Sequence, residues 1–163
     1  MHRSGSSFLV RWLFSNGVEL PPNLLPAAAD NPEGFQESAD FVALNEALLA
    51  SQGSLWDGAW HISNSVEMPP TAAGVAREAR RLIKAWCCSE TASNPTSLMP
   101  LLALKDPRLC RTMPALVDAL GPEWFQCGLA IVRHPFPVVR SIGYRDNMHA
   151  IKALALWLRH NLE

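Results

Sequence analysis

The sequence predicts an α/β fold in which helices pack on both faces of a mostly parallel sheet. Two continuous apolar runs have the length of buried strands: residues 99–106, MPLLALKD, and residues 126–133, QCGLAIVR. Stretches with apolar residues at helical spacing lie before, between and after these runs. Because parallel strands that alternate with helices are joined by right-handed crossovers, we expect three layers with the sheet in the middle.

Apolar spacing and helix-ending residues predict the helices in order along the chain. They are expected over 6–16, 38–53, 71–86 and 111–120, then from Pro135 onward, and over 150–161. Gly17 follows the first helix as a C-cap glycine, and Gly121 ends the fourth. The prolines of residues 18–36 oppose regular structure there, and the four basic residues of the third helix are typical of a solvated face.

Composition is typical of a single globular domain over residues 1–163. Hydrophobic residues make up 48% of the chain and charged residues 18%, which excludes a disordered class. With 14 basic and 15 acidic side chains the net charge is −1, so no whole-surface attraction to nucleic acid or to an anionic membrane is expected. Any anion site must therefore be local.

The cysteines and the first residues of the chain indicate the cellular compartment. The four cysteines form no CxxC pair and have no histidine at ligand spacing, so we expect reduced thiols and no metal site. No apolar run approaches the roughly 20 residues that span a bilayer, and the first residues lack the order of a signal peptide. A cytoplasmic location is predicted.

A hydroxyl-rich loop, MHRSGSS, leads directly into the first helix. A helix N-terminus offers backbone N–H groups and a partial positive charge, so a Ser/Gly turn there can cradle an anion. Gly5 lets the backbone close around a phosphate, and Ser6 and Ser7 add hydroxyl donors. Arg3 adds a guanidinium cation that can donate two N–H groups to one phosphate. The same residues also fit an ordinary serine N-cap. The Walker A and GxGxxG patterns are absent, which disfavours Mg-ATP chemistry.

A second candidate anchor is AIVRHPFPVVRSIGYR, residues 130–145. Arg133 ends the second predicted strand, which is the rim where ligands bind in open α/β sheets, and Ser141 follows on the next helix. Both could donate to one phosphate, since arginine suits bidentate contact, whereas an arginine without function at this place would be solvated. Arg140 and Arg145 are predicted to be surface residues.

Five motifs in order resemble the sulfotransferase family, particularly its bacterial members: MHRSGSS, NPEGFQE, LKDPRLC, IVRHPFPVVRS and ALALWLRHN. The match covers nearly the whole chain, and the family's donor is 3′-phosphoadenosine 5′-phosphosulfate. The resemblance implies a sheet of the P-loop nucleotide-binding type. It also implies that the 5′-phosphosulfate is bound by Arg3, Ser4, Gly5, Ser6 and Ser7. The 3′-phosphate would be bound by Arg133 and Ser141.

The resemblance further implies a base for the acceptor, which would be a hydroxyl or amine of a small molecule, glycan or peptide. Glu37, in NPEGFQE, is the residue to which the role carries over, with His2 and His134 as lesser candidates. A carboxylate near two arginines should stay ionised, which suits a base and equally a salt bridge. Arg3 would neutralise charge on the departing phosphate, and no metal is required.

Other residues have possible places around this cleft. Asp106, in KDPR, fits a turn or capping role before Pro107, and Lys105 and Arg108 fit the cleft wall. An acceptor pocket could be lined by Phe35, Trp56, Trp60 and Trp124, although tryptophans are as often part of a core.

The chain departs from the family pattern at both ends. Family members carry an apolar strand before the first loop and further segments after the last motif, so we expect the first strand to be missing. A version with about five upstream apolar residues should then melt at a higher temperature and aggregate less. The alternatives are an inactive nucleotide-binding fragment or interaction module, and, third, a small-molecule kinase. Nothing in the sequence fixes the oligomeric state.

Overall fold

The computed structural model describes residues 4–51, 54–57, 72–87, 101–125 and 127–162. The α-helices in these ranges are α1 (Ser6–Ser15), α2 (Ala39–Ser51), α3 (Ala72–Cys87), α4 (Leu109–Leu120), α5 (Pro135–Asp146) and α6 (Ala150–Leu162). The predicted helices are therefore confirmed, with the compared ends within two residues. In this part of the chain, no helix combines the length and the apolar character needed to cross a membrane.

The predicted three-layer parallel sheet of the P-loop type is wrong. In the described ranges the β-structure consists of isolated bridges only, and none of them joins the two apolar runs. In the first run, Ala103 N–H donates to Glu19 O, and Glu19 N–H donates to Leu101 O, each at 2.9 Å. The described part of the second run, residues 127–133, has no bridge, and its Leu129 and Val132 are 66% and 68% exposed.

The physical reason is that hydrophobicity reports burial, whereas a sheet also requires neighbouring strands to satisfy the backbone N–H and C=O groups. Leu102 and Leu104 of the first run do pack inward, but they pack against helices. Apolar character alone therefore does not distinguish a buried strand from an extended segment that covers a helical core.

The larger core is formed by α2, α3 and α4. Its buried side chains are Phe41, Leu44, Leu48, Val75, Ala79, Leu82, Trp86, Leu116 and Leu120. The α3 residues among them recur at helical spacing, and the basic residues of α3 are exposed, as the sequence predicts: Arg77, Arg80, Arg81 and Lys84.

A second, smaller core joins α5 to α6. Val138, Ile142, Ala153 and Leu156 are fully buried in it, and Trp56 packs against them. The segment that carries Trp56 is also tied to the helices by charge. Lys152 Nζ lies 2.8 Å from Asp57 Oδ2, and the Arg145 guanidinium lies 5.7 Å from the centre of the Trp56 ring.

Candidate anion-binding site

The first loop turns into α1 at Gly5, whose φ of +96° lies in the left-handed region. A Cβ at this position would meet nothing within 4 Å, so backbone conformation and not space favours glycine. The first bonds of the helix run from Phe8 N–H and Leu9 N–H to Gly5 O. The N–H groups of Ser6 and Ser7 precede them, and the first turn of α1 has no acidic side chain.

This loop borders a cavity of about 220 Å³. Three other stretches complete the wall: the 31–37 segment, residues 105–107, and the chain around α5. The lining residues are Gly5, Ser6 and Ser7; Asn31, Phe35 and Glu37; Lys105 and Pro107; and Arg133, Ser141 and Arg145.

Most of the site residues named from the sequence lie on this one cavity. The cavity brings together Gly5, Ser6, Ser7, Glu37, Arg133 and Ser141. Ser4 of the loop is buried but is not part of the wall, while Arg3 and His2 lie outside the described residues. His134 is exposed, lies with its ring centre 5.2 Å from that of Phe136, and is not part of the wall.

The 31–37 segment is held against α1 by two contacts. Arg11 of α1 forms an ion pair with Glu33, and Ser7 Oγ donates to Phe35 O at 3.1 Å. A turn brings the segment back on itself, in which Gly34 N–H donates to Asn31 O at 3.0 Å. These contacts place Glu37 beside the first loop, although the two are separated by a helix in the chain.

Glu37 is buried and paired with two cations. Lys105 Nζ donates to Glu37 Oε1, and Arg108 Nη1 lies 3.8 Å from Oε2. Burial raises the pKa of Glu37 above its ordinary value, and the Lys105 ammonium opposes that rise. The expectation that neighbouring arginines keep this carboxylate ionised is therefore incomplete, because the cost of burying the charge outweighs the cations.

Asp106 holds the turn before α4, as its position before Pro107 suggests. Its Oδ1 accepts from Arg108 N–H at 2.8 Å and from Arg108 Nη1 at 3.0 Å. Its Oδ2 accepts from Asn45 Nδ2 at 2.9 Å, and Asn45 Oδ1 in turn accepts from Thr112 Oγ1 at 2.7 Å. This buried network fixes the backbone next to Lys105, which lines the cavity as expected. It also holds Arg108 near the Glu37 carboxylate.

The chain around α5 supplies another part of the cavity wall. Arg133 precedes the helix, and its carbonyl oxygen accepts from Trp157 Nε1 of α6 at 2.9 Å. Ser141 is half-buried and is followed by the fully buried Ile142, so the small core holds the helix that carries it. Arg140 is exposed, as predicted.

Arg145 was predicted to be a surface residue, but it lies in the cavity wall. It pairs with Asp146 at 2.6 Å and lies over Trp56. Its signal in the sequence is the helical spacing from Ser141, since residues four apart share one face of a helix. Asn31 also lines the cavity, although the sequence analysis did not name it as a site residue. The turn residues of the NPEG motif are the only signal for its position.

The aromatic residues suggested for an acceptor pocket have separate places. Phe35 lines the cavity, and Trp56 packs on the α5–α6 core. Trp124 is 50% exposed and does not line this cavity, while Trp60 lies outside the described residues.

The cysteine, histidine and acidic side chains bear on metal binding. In the ranges that the structure describes, no three His, Cys, Asp or Glu side chains are placed to hold a metal ion. Cys87, Cys110 and Cys127 are free thiols, and burial raises the pKa of Cys110.

Comparison with protein-family models, with curated proteins and with solved structures found no match to this chain.

Proposed function

We propose that the cavity binds the phosphate and sulfate groups of 3′-phosphoadenosine 5′-phosphosulfate and that the chain carries out sulfuryl transfer. One observation carries the proposal. Residues of the first loop and of α5, far apart in the chain, line a single cavity together with a buried carboxylate. The order of the five sulfotransferase-like motifs supports the same conclusion.

The charges around the cavity suit a polyanion. Among the residues that the structure describes, three cations line it, Lys105, Arg133 and Arg145, together with one carboxylate, Glu37. The N-terminus of α1 adds N–H groups and a partial positive charge. In the proposal the loop binds the 5′-phosphosulfate, while Arg133 and Ser141 bind the 3′-phosphate.

Glu37 acts as the base in this proposal. It accepts the proton of the acceptor hydroxyl or amine as the new bond to sulfur forms and the bond from sulfur to the bridging phosphate oxygen breaks. A carboxylate with a raised pKa suits this role, because a base works best when its pKa approaches the working pH. The loop N–H groups and the cations then stabilise the negative charge that develops on the leaving phosphate.

Several parts of the proposal rest on the sequence alone. They are the role of Arg3 beside the leaving phosphate, the acceptor class of small molecule, glycan or peptide, the absence of a metal requirement, and the cytoplasmic location.

Calorimetric titration with adenosine 3′,5′-bisphosphate tests the proposal. We expect one ligand per chain, with affinity reduced about tenfold or more by Arg133→Ala and by Ser7→Ala, because each removes a charge-assisted hydrogen bond. Arg140→Ala is the matched control, since Arg140 is exposed on the same helix and does not line the cavity, and it should bind like the unmodified chain.

Two outcomes would contradict the proposal. Absence of binding by the folded chain rules out the donor, and magnesium-dependent protection by ATP in its place favours a kinase. Transfer assays with labelled donor and a panel of phenols, alcohols and amines address the second half of the proposal. Binding without transfer to any acceptor would favour the inactive nucleotide-binding module.

A further inference from the structure

Lys105 contacts two stretches of the cavity wall, the first loop and the 31–37 segment. Its side chain is 8% exposed, and its ammonium has three acceptors. These are Glu37 Oε1, Phe35 O at 2.8 Å and Ser7 Oγ at 3.4 Å. One cation therefore contacts both the first loop and the buried carboxylate.

The contact to the loop is the weakest of the three. A hydroxyl oxygen at 3.4 Å is a long and poor acceptor, and Ser7 Oγ itself donates to Phe35 O. An anion bound at the loop would offer oxygens in the same cavity that Lys105 lines. Charged oxygens accept more strongly from an ammonium than a hydroxyl does, and a polyanion carries more negative charge than one carboxylate. The bound anion would therefore compete with both Ser7 Oγ and Glu37 for the Lys105 ammonium.

We propose that Lys105 is a positioning residue shared between Glu37 and the anion, so that filling the loop draws the ammonium away from the carboxylate. The inference rests on the proposed anion-binding function. Glu37 would then become a stronger base when the donor is in place. Occupancy of the donor site and readiness of the base would be coupled through one side chain.

The other charges that face Glu37 are held by partners of their own. Arg108 pairs with Asp106 at 3.0 Å and with Glu46 at 2.8 Å, and the Asp106 carboxylate repels the charge on Glu37. The remaining cations of the wall lie on the α5 side: Arg133 and Arg145. Among the described residues, Lys105 is the cation in contact with both the carboxylate and the loop.

The experiment follows the Glu37 carboxyl carbon by NMR in the full chain labelled with ¹³C-glutamate, with Glu37→Gln to assign the signal. Its pH titration is recorded with and without inorganic pyrophosphate as the probe. In the unmodified chain, pyrophosphate should raise the pKa of Glu37. In Lys105→Met the pKa should already be higher without the probe, because the ammonium that favours the carboxylate is gone.

Pyrophosphate affinity is the second measurement, and Lys84→Met is the matched control because Lys84 is exposed on α3. Lys105→Met should weaken binding about tenfold, Lys105→Arg should recover most of the loss, and Lys84→Met should change neither quantity. Suppose that the Glu37 pKa is higher in Lys105→Met but that this variant binds pyrophosphate with unchanged affinity. Lys105 would then be only a counterion of Glu37, and the inference would be wrong.

Two further outcomes are decisive without any lysine variant. If pyrophosphate fails to bind the unmodified chain, or binds and leaves the Glu37 titration unchanged, the inference is wrong. Titration of the same sample with adenosine 3′,5′-bisphosphate separates the two proposals. A Glu37 response to pyrophosphate but not to the bisphosphate would overturn the adenosine-based donor and support the role of Lys105.

Discussion

Glu37 combines two properties that oppose each other. The carboxylate is 6% exposed, which disfavours its charge, yet it is in contact with a buried lysine, which favours it. Burial is the larger effect, and the pKa rises. The folded chain therefore holds the proton of Glu37 more tightly than an exposed glutamate would.

The raised pKa of Glu37 predicts a sign for the pH dependence of stability. The folded state holds this proton more tightly than the unfolded chain does. The contribution of Glu37 is therefore fully present below the unfolded pKa and is lost as pH rises through the folded pKa. Urea unfolding of the chain and of Glu37→Gln should be compared between roughly pH 4 and pH 7.

The free energy of unfolding of the unmodified chain, relative to Glu37→Gln, should fall as pH rises across that window. One titrating group gives a slope of at most about 1.4 kcal/mol per pH unit. A relative stability that rises with pH would mean that the cations outweigh burial, and it would contradict the account of this carboxylate.

The helices were predictable because apolar residues recur in the sequence at helical spacing. In α3, for example, Val75, Ala79, Leu82 and Trp86 mark one buried face, and polar residues mark the other. The apolar runs, by contrast, wrongly predicted a sheet, because the described residues contain isolated bridges only. Residues 101–104 and 129–132 are apolar, but strand pairing depends on backbone partners that local sequence does not report. Leu129 and Val132, which are exposed, show that an apolar run need not even be buried.

The start of α1 gives a prediction for one backbone position. Gly5→Ala should reduce the free energy of unfolding by about 1 kcal/mol, because alanine is strained at positive φ while the space around Gly5 is open. It should also weaken anion binding, since the turn orients the first N–H groups of the helix. Denaturant unfolding and pyrophosphate titration measure the two effects.

Gly128→Ala is the control for this substitution. Gly128 is also surrounded by open space, but its φ lies outside the left-handed region. Alanine there should be neutral or slightly stabilising, because it restricts the unfolded chain without straining the folded one. Equal losses in the two variants would show that the conformation of the first loop does not matter for stability.

The candidate site depends on the arrangement of the whole chain. The larger core places α2 and the turn before α4 near the first loop, and the smaller core holds α5, which contributes another part of the cavity wall. The residue types at Ser7, Glu37 and Arg133 could be selected from the sequence because each suits phosphate binding or proton transfer. Lys105 could be placed near the cleft, but its contact with both Ser7 and Glu37 required the fold, since these residues are distant in the chain.

The central claim is that one ligand is held at both ends, with its 3′-phosphate at Arg133. The most direct measurement is a cycle of four dissociation constants, from adenosine 3′,5′-bisphosphate and adenosine 5′-monophosphate, each with the unmodified chain and with Arg133→Ala. The unmodified chain should prefer the bisphosphate by about tenfold or more, and Arg133→Ala should bind the two ligands alike. A preference for the bisphosphate that survives in Arg133→Ala would contradict the claim.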